Sequence, residues 1–324
     1  MTNAVQFVRI GGPEVLEMTT RDVGSPGEGE IAINHTAIGL NFIDTYHRTG
    51  LYPLPLPAIP GLEAAGVVTA VGPGVTKFKE GDRVAYGAGP PGAYTQARII
   101  PAGKVVKIPS GLSDEVAAAI MLKGMTAQYL IRQIYPVKKG ETVLYHAIAG
   151  GVGLIACQWL KALGATVIGT VGSPEKAELA KSHGCDHTIL YRDEDIAKTV
   201  RNLTDGVGVP VVFDSVGKDT FIASLDSLQP KGLLVSYGNA SGPVKDVDLG
   251  MLAAKGSLFV TRPTLAHYAT DPATMQSMAD ELFGMVKSGK IKVEINQRYA
   301  LADVQQAHRD LEGRKTTGQT VIIP

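Results

Sequence analysis

The stretch from Thr142 to Thr170, TVLYHAIAGGVGLIACQWLKALGATVIGT, carries the clearest chemical signal in the chain. A β-rich run, Thr142 to His146, leads through Ala147, Ile148 and Ala149 into Gly150, Gly151, Val152 and Gly153. An apolar helix follows to Leu163, Gly164 closes it, and a second β-rich run begins at Thr166. Glycines between a strand and a helix let the backbone turn tightly and approach a pyrophosphate, while the helix N-terminus presents N–H groups and a positive dipole end to the anion. Ile148 replaces the first glycine of the G-x-G-x-x-G pattern, leaving A-x-x-G-x-x-G. The chemistry implied is dinucleotide binding, made specific by the strand before the glycines and the helix after them.

The next strand says which dinucleotide. An NAD-binding unit carries Asp or Glu about 20 residues beyond the glycines, on the ribose hydroxyls. Here the strand runs out through Gly169, Thr170, Val171, Gly172 and Ser173 without an acid, and Pro174, Glu175 and Lys176 follow. Ser173 is placed as a helix N-cap with Pro174 at the first helical position. Lys176 then falls in the first turn, where a cation opposes the helix dipole. A bound 2′-phosphate removes that conflict, so Gly172, Ser173 and Lys176 predict NADP(H) over NAD(H).

Positioning these residues requires an alternation of strands and helices, which begins at Glu141. The β-type runs are Thr142–His146, Thr166–Thr170, Thr188–Tyr191, Pro210–Asp214, Gly232–Tyr237 and Ser257–Thr261, with helical segments between the first five. Strands alternating with helical crossovers imply a parallel, doubly wound sheet. Before it, Val5 to Ile108 reads as short β-rich runs cut by Gly and Pro, among them Glu30–Ala37, Ala65–Val71, Arg83–Tyr86 and Ala93–Ile99. These suggest a compact, partly open β-barrel. Ser113 to Tyr135 reads as one helix. After the parallel sheet come a helix at Ala273–Ser288, a strand-like Lys292–Ile295, a further helix and a closing Gln319–Ile323, a tail that returns to the first domain. The expected division is 1–122, 123–263 and 264–324.

Composition narrows the partners. Lys plus Arg and Asp plus Glu both number 31, and no basic block appears, so neither nucleic acid nor an acidic membrane surface is an expected ligand. No signal peptide and no apolar run of ~20 residues is visible, and two cysteines, Cys157 and Cys185, do not make a disulfide framework. The expectation is a cytoplasmic protein.

With these residues in view, the chain resembles the zinc-independent quinone oxidoreductase (ζ-crystallin-like) family of the medium-chain dehydrogenase/reductase superfamily. The resemblance rests on six segments: GGPEVL at 11–16, GLNFIDTY at 39–46, PGLEAAG at 60–66, GDRV at 81–84, HAIAGGVG at 146–153 and FDSVG at 213–217. It runs essentially end to end. It implies a GroES-like catalytic domain with an inserted Rossmann domain, a homodimer joined through the Rossmann sheets, NADPH as cofactor and a quinone as substrate. It also implies cofactor contacts from Phe42, Asp44, Thr126, Tyr191, Ser215, Gly238, Asn239, Phe259, Thr261 and Thr317, beside the glycines, Ser173 and Lys176 already named.

Zinc alcohol dehydrogenases of this superfamily carry a cysteine ligand near the position of Asn41 and a Gly-His-Glu segment where this chain has Gly61, Leu62 and Glu63. A catalytic zinc needs about three Cys, His or carboxylate ligands. Asn41 and Leu62 cannot provide a thiolate and an imidazole, and the first domain has no cysteine. No metal is expected. A quinone is already an electrophile, so the chain need only hold a flat ring and donate hydrogen bonds to the developing oxyanion. Asn41, Tyr46 and Tyr52 are the expected donors, with Asp44 fixing their loop or a cofactor hydroxyl. Two other readings stand beside quinone reduction: NADPH-dependent reduction of an activated C=C bond in an enal or enone, and a non-catalytic NADPH- or RNA-binding protein.

Overall fold

The computed structural model describes all 324 residues and divides into two compact units, residues 1–125, 268–288 and 292–324 in one and 126–267 with 289–291 in the other. In the first unit β1 (Thr2–Gln6) and β2 (Glu17–Arg21) pair antiparallel. The larger sheet contains β3 (Glu30–Gly39), β4 (Ala64–Val71), β5 (Arg83–Tyr86), β6 (Ala97–Pro101) and β7 (Val106–Lys107), with β14 (Ile295–Ala300) and β15 (Gln319–Ile323) from the end of the chain. Its order is β14-β15-β3-β4-β5-β7, with β6 also on β3.

The tail reaches this sheet through β15, which runs antiparallel to β3 with Val321 opposite Gly39. Its partner strand is Ile295–Ala300, not the expected Lys292–Ile295, and likewise the run expected at Ala93–Ile99 becomes a strand only from Ala97. In both cases the ladder with the neighbouring strand, a non-local contact, sets the boundary. The core joins Val5, Phe7, Ile31, Ile33, Tyr86 and Tyr94 of the barrel to Leu301, Val304 and Ile322 of the tail. Each such fully buried side chain contributes roughly 1.5–3 kcal/mol.

Between β3 and β4 lies α1 (Phe42–Thr49), ended by Gly50 in the left-handed conformation. The predicted helix from Ser113 is α2 (Asp114–Gln128), which continues as a π-helical turn over Tyr129–Ile134. Ser113 Oγ accepts the Val116 N–H at 3.2 Å and caps its start. In the tail, α8 (Pro272–Lys287) and α9 (Val304–Glu312) complete the unit.

The second unit is a six-stranded sheet, parallel throughout, in the order β10-β9-β8-β11-β12-β13. Along the chain it reads β8 (Thr142–Tyr145), α3 (Gly151–Leu163), β9 (Thr166–Val171), α4 (Pro174–Ser182), β10 (His187–Leu190), α5 (Ile196–Leu203), β11 (Val209–Asp214), α6 (Phe221–Ser227), β12 (Leu228–Ser236), α7 (Leu249–Ala254) and β13 (Phe259–Thr261). This is the doubly wound sheet that the alternation predicts, with α7 an addition the pattern did not reveal. Strand order reverses between β8 and β11, and in open parallel sheets ligands bind outside the carboxyl ends at that point. No helix of the protein is long and apolar enough to cross a membrane.

Candidate active site

The glycine turn sits at the carboxyl end of β8, on the reversal point. Gly150 is the N-cap of α3, and its N–H donates to the Ala147 carbonyl at 2.9 Å. Ala147 has φ +53°, the left-handed region that glycine enters without strain. A Cβ at Gly153 would stand 2.5 Å from both the Ala147 and Ile148 carbonyl oxygens, so helix and turn approach each other as closely as only glycine permits. The N-terminus of α3 therefore stands at the carboxyl end of β8, the arrangement that binds a pyrophosphate.

The other candidates in this unit gather along the same edge. Ser173 caps α4, its Oγ accepting the Lys176 N–H at 3.4 Å, with Pro174 at the first helical position. Lys176 is half-buried one turn inside the helix. A Cβ on Gly172 would lie 2.7 Å from Tyr191 Oη, so the ends of β9 and β10 converge. Ser215 follows β11, and a Cβ on Gly238 would collide with the Ser215 backbone, which brings β11 and β12 together in the same way. Asn239 lies beside them and Thr261 ends β13. Phe259 stands two residues back on the outer strand with 62 % of its surface exposed. Arg262, which sequence reasoning passed over, follows Thr261 and donates to the Ser236 carbonyl at 2.9 Å on this edge.

In the first unit α1 carries the aromatic candidates. Phe42 and Tyr46 are one turn apart with ring centroids 5.6 Å apart, and Tyr46 meets Tyr52 edge to face at 5.2 Å. The Tyr52 N–H donates to the Tyr46 carbonyl at 3.1 Å, which folds the segment after α1 back on the helix. The two phenols thus stand as a pair.

One expectation for this loop is corrected. Asn41 is not a free donor: Nδ2 gives its hydrogens to Glu63 Oε2 at 2.8 Å and to the Gly39 carbonyl at 3.2 Å. Asp44 is tied into the protein itself. It is fully buried, its Oδ2 accepts the Asn41 N–H and the Tyr94 hydroxyl, both at 2.9 Å, and its Oδ1 is buried with no partner. These bonds hold the loop, one of the two roles foreseen for it, and burial pushes its carboxyl up to about 7.

Sequence reasoning did not select the centre of this region. Glu63 is completely buried, and it accepts from Asn41, from Lys123 Nζ at 2.9 Å and, through Oε1, from the Leu122 N–H at 2.7 Å. The signal was present as the only acid in PGLEAAG. Of the remaining candidates, Thr126 is half-buried near the end of α2, and Thr317 lies before β15, where its hydroxyl accepts from Asn296 Nδ2 at 3.0 Å. No group of three or more His, Cys, Asp or Glu side chains is arranged to hold a metal ion.

Comparison with known proteins follows the same division. Residues 27–110 match the alcohol dehydrogenase GroES-like domain, and residues 151–282 match the zinc-binding dehydrogenase family. A quinone oxidoreductase of Pseudomonas aeruginosa is 58 % identical, with 100 % of both chains covered. The crystal structure of Escherichia coli quinone oxidoreductase complexed with NADPH shares 50 % identity at a TM-score of 0.98, covering 99 % of this chain and 100 % of that one. A 2-haloacrylate reductase from a Burkholderia species is 47 % identical over 100 % of this chain and 99 % of its own.

Proposed function

This chain belongs to the quinone oxidoreductase family of the medium-chain dehydrogenase/reductase superfamily, and from that membership we infer that it is an NADPH-dependent quinone reductase. The observation that carries the cofactor is the Gly150–Gly153 turn, built at the strand reversal with a Cβ excluded at Gly153. Gly150 to Gly153 hold the pyrophosphate, Ser173 and Lys176 hold the 2′-phosphate, and Gly172, Tyr191, Ser215, Gly238, Asn239 and Thr261 line the rest of the edge. Reduced nicotinamide, when bound, supplies the electrons that a quinone accepts.

The protein's own contribution is to bind the flat acceptor and to stabilise charge on its oxygens. Tyr46 and Tyr52 offer paired aromatic faces with phenolic donors, each able to strengthen as an oxyanion develops. Asn41 serves by joining Glu63 to the start of α1, which keeps that helix and Tyr46 in place. Lys123 supplies the cation that lets Glu63 be buried. Because the 2-haloacrylate reductase named above is nearly as similar as the quinone reductases, reduction of a conjugated C=C bond is the second reading.

The outer strand β13 leaves Phe259 and Val260 exposed on an unpaired sheet edge, which supports a homodimer closed by pairing with a second copy. Neither cysteine is in a disulfide, which supports a cytoplasmic setting.

The experiment is loss of NADPH absorbance with benzoquinones, naphthoquinones and 2-alkenals as acceptors, NADH run in parallel, for the wild type and Tyr52→Phe. Turnover of quinones by the wild type, with kcat/KM for quinone lowered about tenfold or more in Tyr52→Phe, is the expected result. Turnover confined to alkenals would transfer the chain to the second reading, and unchanged Tyr52→Phe kinetics would remove Tyr52 from the site.

A further inference from the structure

Beneath the glycine turn lies a buried polar chain that none of the roles above uses. Asp214, at the end of β11, accepts four hydrogen bonds. Oδ1 takes the N–H groups of Val216 at 2.7 Å and Gly217 at 3.0 Å, and Oδ2 takes the hydroxyls of Thr220 at 2.7 Å and Ser224 at 2.9 Å. A serine hydroxyl has one hydrogen, and Ser224 gives it to Asp214. The 3.0 Å contact between Ser224 Oγ and His146 Nε2 must then be donated by the ring.

That assignment orients everything above it. Burial lowers the basicity of His146 more than Asp214 raises it, so the ring is neutral with its single hydrogen on Nε2. Nδ1 is the acceptor and receives the Thr170 hydroxyl at 3.0 Å. The Thr170 oxygen in turn accepts the Ala147 N–H at 3.2 Å. Ala147 is the left-handed residue whose carbonyl receives the Gly150 N–H and abuts Gly153. His146, Thr170, Asp214 and Ser224 are each no more than 1 % exposed.

We propose that the chain Asp214–Ser224–His146–Thr170–Ala147 holds the phosphate-binding turn in its left-handed, open conformation, making His146 and Thr170 positioning residues for NADPH. Every link has one allowed direction, because each end is set by a group that can only accept or only donate: the four-fold acceptor Asp214 at one end, a backbone N–H at the other. The chain also explains why a residue with a Cβ is tolerated at a position with φ +53°. Its amide is tied from below by a side chain of the neighbouring strand, β9. It ties the ends of β9, β8 and β11, three adjacent strands spanning the reversal, to one point under the turn. The proposal rests on the reading of this edge as the NADPH site.

The test compares wild type with Thr170→Val, which keeps shape and β-branching but removes the hydroxyl, and with Thr170→Ser, which restores it. NADPH Kd is read from nicotinamide fluorescence, with KM for NADPH, KM for quinone, kcat and the melting temperature measured alongside. The expected result is a rise of about tenfold in Kd and KM for NADPH in Thr170→Val. Its kcat at saturating NADPH and its KM for quinone stay near wild type, and Thr170→Ser recovers most of the affinity. A Thr170→Val protein that binds NADPH like wild type overturns the proposal. So does a parallel loss in kcat and quinone KM, or a Thr170→Ser as weak as Thr170→Val. Should Thr170→Val not fold, Ser224→Ala breaks the chain one link lower: the same NADPH-only loss supports the proposal, and wild-type affinity overturns it. Failure of the wild type to bind NADPH would instead sink the reading of the edge, and this proposal with it.

Discussion

Lys123 Nζ lies 2.9 Å from Glu63 Oε2, with the lysine side chain 9 % exposed and the glutamate fully buried. The pair sits on the amide of Asn41, so the loop that presents Tyr46 begins at a compensated buried charge. Removing one member of such a pair leaves the other uncompensated, at a cost of about 3–5 kcal/mol. Lys123→Met is therefore expected to destabilise the fold by that margin, and Lys123→Met with Glu63→Gln to recover most of it. Denaturant unfolding of wild type and the two variants checks this; a single mutant within 1 kcal/mol of wild type would show that the pair is not a structural anchor.

Asp44 gives the first unit an unusual pH dependence. Burial raises its carboxyl from 3.8 to about 7, so between those values the folded chain holds a proton that the unfolded chain has released. Stability from this group is full in acid and is lost as pH rises, by about 4 kcal/mol over the whole interval. His35 and His308 act in the opposite sense. Burial pulls them to about 4 and about 3, so their contribution is present above 6.5 and is lost as pH falls. Asp44→Asn is expected to be more stable than wild type at pH 8, by roughly 2–4 kcal/mol, and to lose stability more steeply below pH 6.5, by about 1.4 kcal/mol per pH unit. Unfolding curves at pH 5, 6.5 and 8 decide it, and an offset independent of pH would contradict the assignment.

On the proposed NADPH site, Lys176 separates the two cofactors. Exchanging its charge in Lys176→Glu should raise the Kd for NADPH by about 10–100-fold, the value of a charge-assisted contact to phosphate, while NADH binding is held or improved. Equal losses for both nucleotides would place Lys176 away from the 2′-phosphate.

Gly153 tests the turn itself. The two atoms that a Cβ would meet at 2.5 Å are backbone carbonyls, which cannot swing aside as a side-chain end can. Gly153→Ala is expected to cost about 1–3 kcal/mol in stability and to weaken NADPH binding more than it weakens the fold. Titration alongside a melting curve measures both, and a wild-type Kd would show that the turn tolerates a wider approach.

Some of this was decided within a few residues of chain. The strand, glycine turn and helix at 142–163 are local because their signals are local: β-branched residues, a turn that needs small residues, and Gly164 at φ +81° ending the helix. The cap at Ser173 and the missing acid after β9 were legible for the same reason, and the expectation of NADPH rests on them. Tertiary structure decided the rest. Nothing near Asn41 says that its amide is committed to Glu63, 22 residues on, or that Asp44 is sealed under Tyr94, 50 residues on. Ser224 and His146 meet across 78 residues, and the direction of their hydrogen bond depends on what Asp214 accepts. Such contacts have no periodicity to betray them, because which polar atoms are left to find one another depends on which strands lie side by side.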